Sequence, residues 1–295
     1  MHKFRFTVPA RMSAAACVLA LFCALVQAQT PPAGAPPPAP ALQSGSAASL
    51  NDTLLAKATS LYDSTAKSGL HGFDCQVHPD WDKIMISVKK GAPEAADEAK
   101  VALLSTVKIT LHARLNGSST LDWHPPESTD KPLDPAATSM LDKAHQGIAS
   151  MLVGVLKLWT PLVDGSVAES LGEDDMNIVQ TGDGYTLRSK DKRYQLTEEF
   201  DRDLLLKHYI AVDSGSTVDI VPTFRLSTRG LLLQSFVARI QPQVAPPQAA
   251  HEMHIDLEYQ TISAIQIPAR ITVEVPNVVG MDFALDGCSV NPASN

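Results

Sequence analysis

The chain has 295 residues, 44% of them hydrophobic, with 24 Lys and Arg against 32 Asp and Glu, a formal charge of −8. This acidic balance makes nucleic acid and anionic membrane surfaces poor partners.

Residues 1–28 carry Lys3, Arg5 and Arg11 and no acid, then an apolar run from Ala14 to Val26, then Val26-Gln27-Ala28 as a small-x-small site. That is the pattern of a secretory signal peptide, so the expected product begins near Gln29 and is periplasmic or secreted. No cysteine stands where a lipid anchor would need one, since Cys23 follows Phe22 and Cys17 precedes most of the apolar run. Without Lys3, Arg5 and Arg11 the 24 cations fall to 21 against the same 32 acids, a charge of −11. Residues 29–47 (QTPPAGAPPPAPALQSGSA) have almost nothing to bury and read as a flexible tether. Residues 48–295, about 248 in all, show no composition break and are expected to form one domain, a size that all-β units reach. Loss of Cys17 and Cys23 leaves Cys75 and Cys288 as one possible pair in an oxidising compartment. Two separately buried thiols are the alternative, but positions near the first and last strands favour a bond. No second apolar segment reads as long enough to span a bilayer, so no stable membrane insertion is expected.

The first element is an amphipathic helix, with Leu54, Leu55, Ala58, Leu61 and Tyr62 at helical spacing behind Asn51 and Asp52, and Gly69 as its stop. Phe73, Cys75 and Val77 alternate as a strand. PEAADEAKVALL (93–104) starts with Pro beside acids and reads as a second helix. Val107, Ile109, Leu111, Ala113 and Leu115 alternate with polar residues and run into Asn116-Gly117, a strand ending in a hairpin turn. The longest helix follows Asp134-Pro135 and is expected to end before Pro161. Its stripe is Met140, Leu141, Ala144, Ile148, Met151, Leu152, Val155, Leu156 and Trp159, too wide an apolar face to leave in water.

The remainder is β. MNIVQ and YTLRSK flank Gly182-Asp183-Gly184, and RYQLTEEF, KHYIAV, VDIVPTFRL, LLLQSFVARI and MDFAL surround one further pair of strands within 253–275. In that pair a two-residue loop at Ser263-Ala264 would set Leu257 against Arg270 and mix the faces. A five-residue loop centred on Ser263 instead pairs Tyr259 with Ile267, Leu257 with Ala269, Ile255 with Ile271 and Met253 with Val273. It also places Asp256 opposite Arg270 and Glu252 opposite Glu274. Helices and strands are segregated and β connections are short, so the sheet is expected to be mostly antiparallel. The fold class is α+β, a curved antiparallel half-barrel sheet wrapped around two or three amphipathic helices. Met151, Leu152, Val155 and Trp159 of the long helix are expected to face Met253, Ile255, Leu257 and Tyr259, and these eight are the candidate ligand-binding residues.

The segments PTFRLSTRGLLLQSF (222–236) and LEYQTISAIQIPARITVEV (257–275), behind LLAKATSLYDSTAKSGL (54–70), resemble the periplasmic lipoprotein-carrier (LolA-like) half-barrel families. What recurs there is a Pro-x-Phe strand, a Gly-led apolar strand, and a tyrosine-containing strand followed by an Ile-Pro start. The resemblance implies an apolar guest, an acyl chain or lipid, or a segment of an envelope protein, held between sheet and helices without chemistry or cofactor.

A second local likeness competes. IAVDSGSTVDIVP (210–222) resembles the active-site turn of retroviral-type aspartic proteases, with VVGMDFAL (278–285) resembling its supporting segment. That likeness implies a dimer in which Asp213, in the turn Asp213-Ser214-Gly215-Ser216, shares a proton with its counterpart and activates water. An ordinary hairpin turn explains Asp-Ser-Gly-Ser as well, and a purely structural envelope module is the third reading. HEMH (251–254) has its histidines three apart on a strand, pointing to opposite faces, and Glu173-Asp174-Asp175 lacks a calcium loop, so no metal site is expected. No Gly-x-Ser-x-Gly elbow, phosphate loop or dinucleotide fingerprint is present.

Overall fold

The computed structural model describes Leu54, residues 56–58, and residues 60–89, 95–125, 133–163, 177–190, 195–213, 215–243 and 250–292. The expected signal peptide, the tether, Ser214 and Glu173-Asp174-Asp175 lie outside the described residues. Residues 54, 56–58, 60 and 61 are helical, followed by a single turn α1 (Thr65–Ser68). Gly69 stops it with φ 64°, a left-handed conformation that glycine adopts without a Cβ penalty.

After α1 come β1 (Leu70–Pro79), α2 (Trp81–Lys89), α3 (Ala95–Leu104), β2 (Lys108–Arg114), β3 (Thr120–His124) and α4 (Pro135–Val163). The rest is β4 (Asn177–Gln180), β5 (Gly184–Lys190), β6 (Gln195–Asp201), β7 (Leu206–Val212), β8 (Ser216–Ser227), β9 (Gly230–Pro242), β10 (His251–Ile262), β11 (Ile265–Val275) and β12 (Val279–Pro292). All twelve strands form one open antiparallel sheet in the order β3-β2-β1-β12-β11-β10-β9-β8-β7-β6-β5-β4. The class is therefore α+β with a mostly antiparallel sheet, as expected.

Only one neighbouring pair, β1 with β12, joins strands that are not successive in the chain. Cys75 and Cys288 form a disulfide across that pair, 213 residues apart, beside an irregularity in register between Asp74 and Gln76. The sheet's one long-range seam thus carries its covalent bond.

α4 connects β3 to β4, the two edges of the sheet, so the chain crosses from one edge to the other through it. Asp134 caps its start, its Oδ1 accepting from the Ala137 N–H at 2.8 Å. The helix does not stop before Pro161 but runs on to Val163. So close to the end, proline removes only one hydrogen bond while its fixed φ still suits a helix. With this extension α4 is, by length and composition alone, long and apolar enough to cross a membrane, against the expectation from sequence. Its stripe from Leu141 to Val163 is nevertheless buried in the core of the fold.

Two elements escape the sequence patterns. α2 packs Trp81 and Ile84 into the core and is capped by Asp80, whose Oδ1 accepts from the Lys83 N–H at 2.9 Å. At nine residues it is too short to show a periodic stripe. β3 has only five residues, of which Leu121 and Trp123 are half-buried against the core, too short an alternation to stand out in the sequence.

The hairpin of β10 and β11 corrects the expected register. Ser263 and Ala264, with φ 50° and 66°, form a two-residue turn closed by Ile262 and Ile265. A shift between Glu258 and Tyr259 then lets Leu257 meet Ile271 and Ile255 meet Val273, so the apolar face survives. The bulge falls beside Pro268, which has no N–H to give to the ladder. Arg270 stands opposite Glu258 rather than Asp256, and Glu252 lies against Arg239 of β9 rather than Glu274. The left-handed turn lacks Gly or Asn, but the Arg229 guanidinium donates to the Ala264 carbonyl and holds it.

The N-terminal helical segment is pinned onto the sheet by its C-terminal end. Tyr62 bridges to Leu231 in parallel, and the Asp63 N–H donates to the Leu231 carbonyl at 2.9 Å. Gly230 permits the close crossing, because a Cβ there would stand 2.5 Å from the Leu61 carbonyl oxygen. The Tyr62 hydroxyl donates to the Leu204 carbonyl at 2.8 Å and accepts from the Leu206 N–H at 2.7 Å. This segment is thereby held over β6 and β7.

Candidate functional site

The eight residues expected to meet across helix and sheet lie in or against one hydrophobic core, and Trp159 with Tyr259 joins the two sets directly. Met151, Leu152, Val155 and Trp159 of α4 and Met253, Ile255 and Leu257 of β10 all belong to one buried core. Tyr259 packs against it, and the Trp159 Nε1–H donates to its hydroxyl at 3.3 Å. Burial pushes the Tyr259 phenol above its ordinary range. Phe73 meets the Trp159 ring edge to face, with centroids 6.2 Å apart. Leu152, Val155 and Ile255 have no accessible surface, so side chains fill the middle of this region, and a small pocket remains at its Trp159 and Tyr259 end.

Open apolar space lies elsewhere on the same face. Between the N-terminal helical segment and β4–β6 runs an open cleft of about 320 Å³ with the solvent at its mouth and about 30 Å³ without it, lined by Leu54, Ala58, Ile178, Tyr185, Leu187, Phe200 and Leu204. The strand ladders explain the lining. Ile178 pairs with Leu187, and Tyr185 with Phe200, so alternation brings these side chains to one face. Leu204 sits in the β6–β7 turn with φ 66°, where the Tyr62 hydroxyl holds its carbonyl.

One position breaks the apolar pattern. The ladders align Ile178, Leu187, Glu198, Tyr209, Ile220, Ala238 and Met253 across seven strands, from the cleft to the α4-covered core. Glu198 is the one ionisable carboxylate in that row. Its side chain is 0% exposed, and neither carboxylate oxygen has a hydrogen-bond partner. Desolvation by burial pushes its carboxyl from the ordinary value of 4.5 up to about 8. Leu187, directly opposite, and Phe200, two residues along on the same face, both line the cleft. Sequence reasoning took RYQLTEEF as a plain strand and missed this. The signal was legible: Leu196, Glu198 and Phe200 share one parity, which puts an acid on an apolar face.

Asp213 sits in a different setting. Its Oδ1 accepts from the Gly215 N–H at 2.7 Å, the Ser216 N–H at 2.6 Å and the Ser216 hydroxyl at 3.3 Å. The side chain caps its own exposed turn between β7 and β8. The HEMH stretch is drawn into an ion-pair row, in which Glu252 meets Arg239 at 2.7 Å and His254 at 2.9 Å. Among the described residues no group of three or more His, Cys, Asp or Glu is placed to hold a metal ion.

No protein-family model matches the chain, and no curated protein and no solved structure matches it either.

Proposed function

We propose that this is an exported, non-enzymatic protein that binds an apolar guest, an acyl chain or similar tail, against one face of its sheet. The observation that carries the reading is the cleft lined by Leu54, Ala58, Ile178, Tyr185, Leu187, Phe200 and Leu204, whose accessible lining is apolar. Concave sites lined mainly by apolar and aromatic side chains are the usual form of small-molecule sites. The likeness to half-barrel lipid carriers points the same way, with one change. The proposed seat is the β4–β6 end of the sheet rather than the face between α4 and β10, where Leu152, Val155 and Ile255 are fully buried and only a smaller pocket remains beside Trp159 and Tyr259. Of about 320 Å³ most is open solvent at the mouth, and the enclosed space is about 30 Å³, well short of the roughly 300–1,000 Å³ of sites that swallow a whole ligand. The guest is therefore a slender apolar segment lying along an open groove.

A neutral fluorescent probe, N-phenylnaphthylamine, should gain intensity on binding the purified protein. Ala58→Phe, which fills the cleft, should abolish the gain while the thermal transition persists. Native mass spectrometry of the purified protein should show a retained lipid-sized mass in the wild type and not in that variant. No probe binding and no retained mass would leave the structural-module reading, which the buried α4 stripe favours. The aspartic-protease reading rests on Asp213, which here serves its own turn.

A further inference from the structure

A buried carboxylate with no partner is rare, because losing water without gaining hydrogen bonds is unfavourable, and each instance asks for an explanation. Glu198 is fully enclosed, both its oxygens are unpartnered, and no Lys, Arg or His among the described residues pairs with it. It is also the fourth corner of a two-by-two patch on β5 and β6 whose other three members, Tyr185, Leu187 and Phe200, line the apolar cleft. Among the described residues nothing supplies the missing partner, and Glu198 lies directly behind the cleft wall formed by Leu187 and Phe200.

We propose that Glu198 makes the cleft selective for a single-tailed amphiphile bearing a protonated amine. The inference rests on the cleft being the binding seat. Two features select an ammonium group over other heads. An ammonium offers three donors and forms charge-assisted bonds to a carboxylate, whereas a hydroxyl offers one neutral donor and a carboxylate head none. The surroundings are also aromatic. Tyr185 and Phe200 line the cleft, Tyr209 stands opposite Glu198 on β7, and Tyr62 lies close enough to feel the charge of Glu198. Ring faces attract cations and disfavour anions. The tail would lie along Leu187, Ile178 and Leu54 toward the mouth, with the head at Glu198.

The test is displacement of N-phenylnaphthylamine from the purified protein by dodecylamine, dodecanol, dodecanoate and lysophosphatidylethanolamine, each below its micelle concentration. Dodecylamine should displace the probe at about tenfold lower concentration than dodecanol, equivalent to about 1.4 kcal/mol, and dodecanoate should be weakest. The ratio of amine to alcohol is the readout, so a general change in the cleft cancels. Glu198→Gln should bring that ratio to one, while Glu199→Gln, on the exposed face of the same strand, should keep it. Lysophosphatidylethanolamine as strong as dodecylamine would identify a lipid head as the natural source of the amine, and a weaker effect a free amine. A probe that binds but shows equal amine and alcohol displacement overturns the inference and leaves the cleft reading intact. Dodecanoate as the tightest guest overturns it in favour of a neutral Glu198 donating to an anion. Failure of the probe to bind at all removes both.

Discussion

The indole N–H of Trp159 donates to the hydroxyl of Tyr259 at 3.3 Å, which ties the last turns of α4 to β10. Tyr259→Phe leaves that buried donor without its acceptor and should destabilise the protein by about 1–3 kcal/mol. On the same face, Leu257→Ala empties part of the core and should cost about 2–5 kcal/mol. Glu258→Ala, on the exposed face, should change stability by no more than about 0.5 kcal/mol. Urea unfolding of the three variants checks the ranking, and equal losses for Leu257→Ala and Glu258→Ala would mean that the two faces of β10 are assigned the wrong way round.

The Cys75–Cys288 bond closes a loop of 213 residues at the one seam between strands distant in the chain. In the chain-entropy model a loop of this length is stabilised by about 5 kcal/mol through restriction of the unfolded state. Cys75→Ser with Cys288→Ser should lower stability by an amount of that order. Thiol titration of the non-reduced, denatured wild type should find no free cysteine in the mature chain, and two titrating thiols would refute the bond.

The buried Glu198 makes stability depend on pH in a particular direction. Its folded-state pKa, about 8, lies above the ordinary 4.5, so between these values the folded protein binds the proton more tightly than the unfolded chain. Unfolding free energy contributed by this group is therefore fully present below about pH 4.5, falls as pH rises, and is gone above about pH 8. The total change is several kcal/mol, at about 1.4 kcal/mol for each pH unit of the window. The titratable groups beside it are phenols, Tyr209 on β7 and Tyr62, whose hydroxyl burial pushes above its ordinary range. Comparing wild type with Glu198→Gln in urea at about pH 5 and about pH 8.5 isolates the effect from the other titrations. The wild type should lose more stability between the two pH values than the variant, and parallel losses would show that Glu198 is not buried unpaired.

Asp213 accepts three hydrogen bonds within its own turn. Asp213→Asn keeps the Oδ1 acceptor and should cost at most about 1 kcal/mol, with N-phenylnaphthylamine binding unchanged. A pepstatin-sensitive peptidase activity that disappears in this variant would make the protease reading primary.

Side-chain periodicity was readable along most of the chain. It separated helices from strands, put Ile109, Leu111 and Ala113 on one face of β2, and marked the stripe of α4, because a residue's parity or helical phase is a local property. It also marked Met253, Ile255 and Leu257 as inward. The Cys75–Cys288 pairing followed from counting, since only two cysteines stand outside the expected signal peptide. Register was decided in three dimensions. The turn at Ser263-Ala264 has no glycine, and its left-handed backbone depends on Arg229, thirty-five residues away. The bulge that rescues the apolar face depends on Pro268 meeting Tyr259. The cleft was likewise invisible, because it is bounded by Leu54 and Ala58 from one end of the chain and by β4–β6 from the middle. Glu198 was written in the sequence as one acid among 32 acidic residues. Only the packing of neighbouring elements over β6 turns it into a buried, unpartnered carboxyl, since desolvation belongs to the assembled layers and not to the strand that carries the residue.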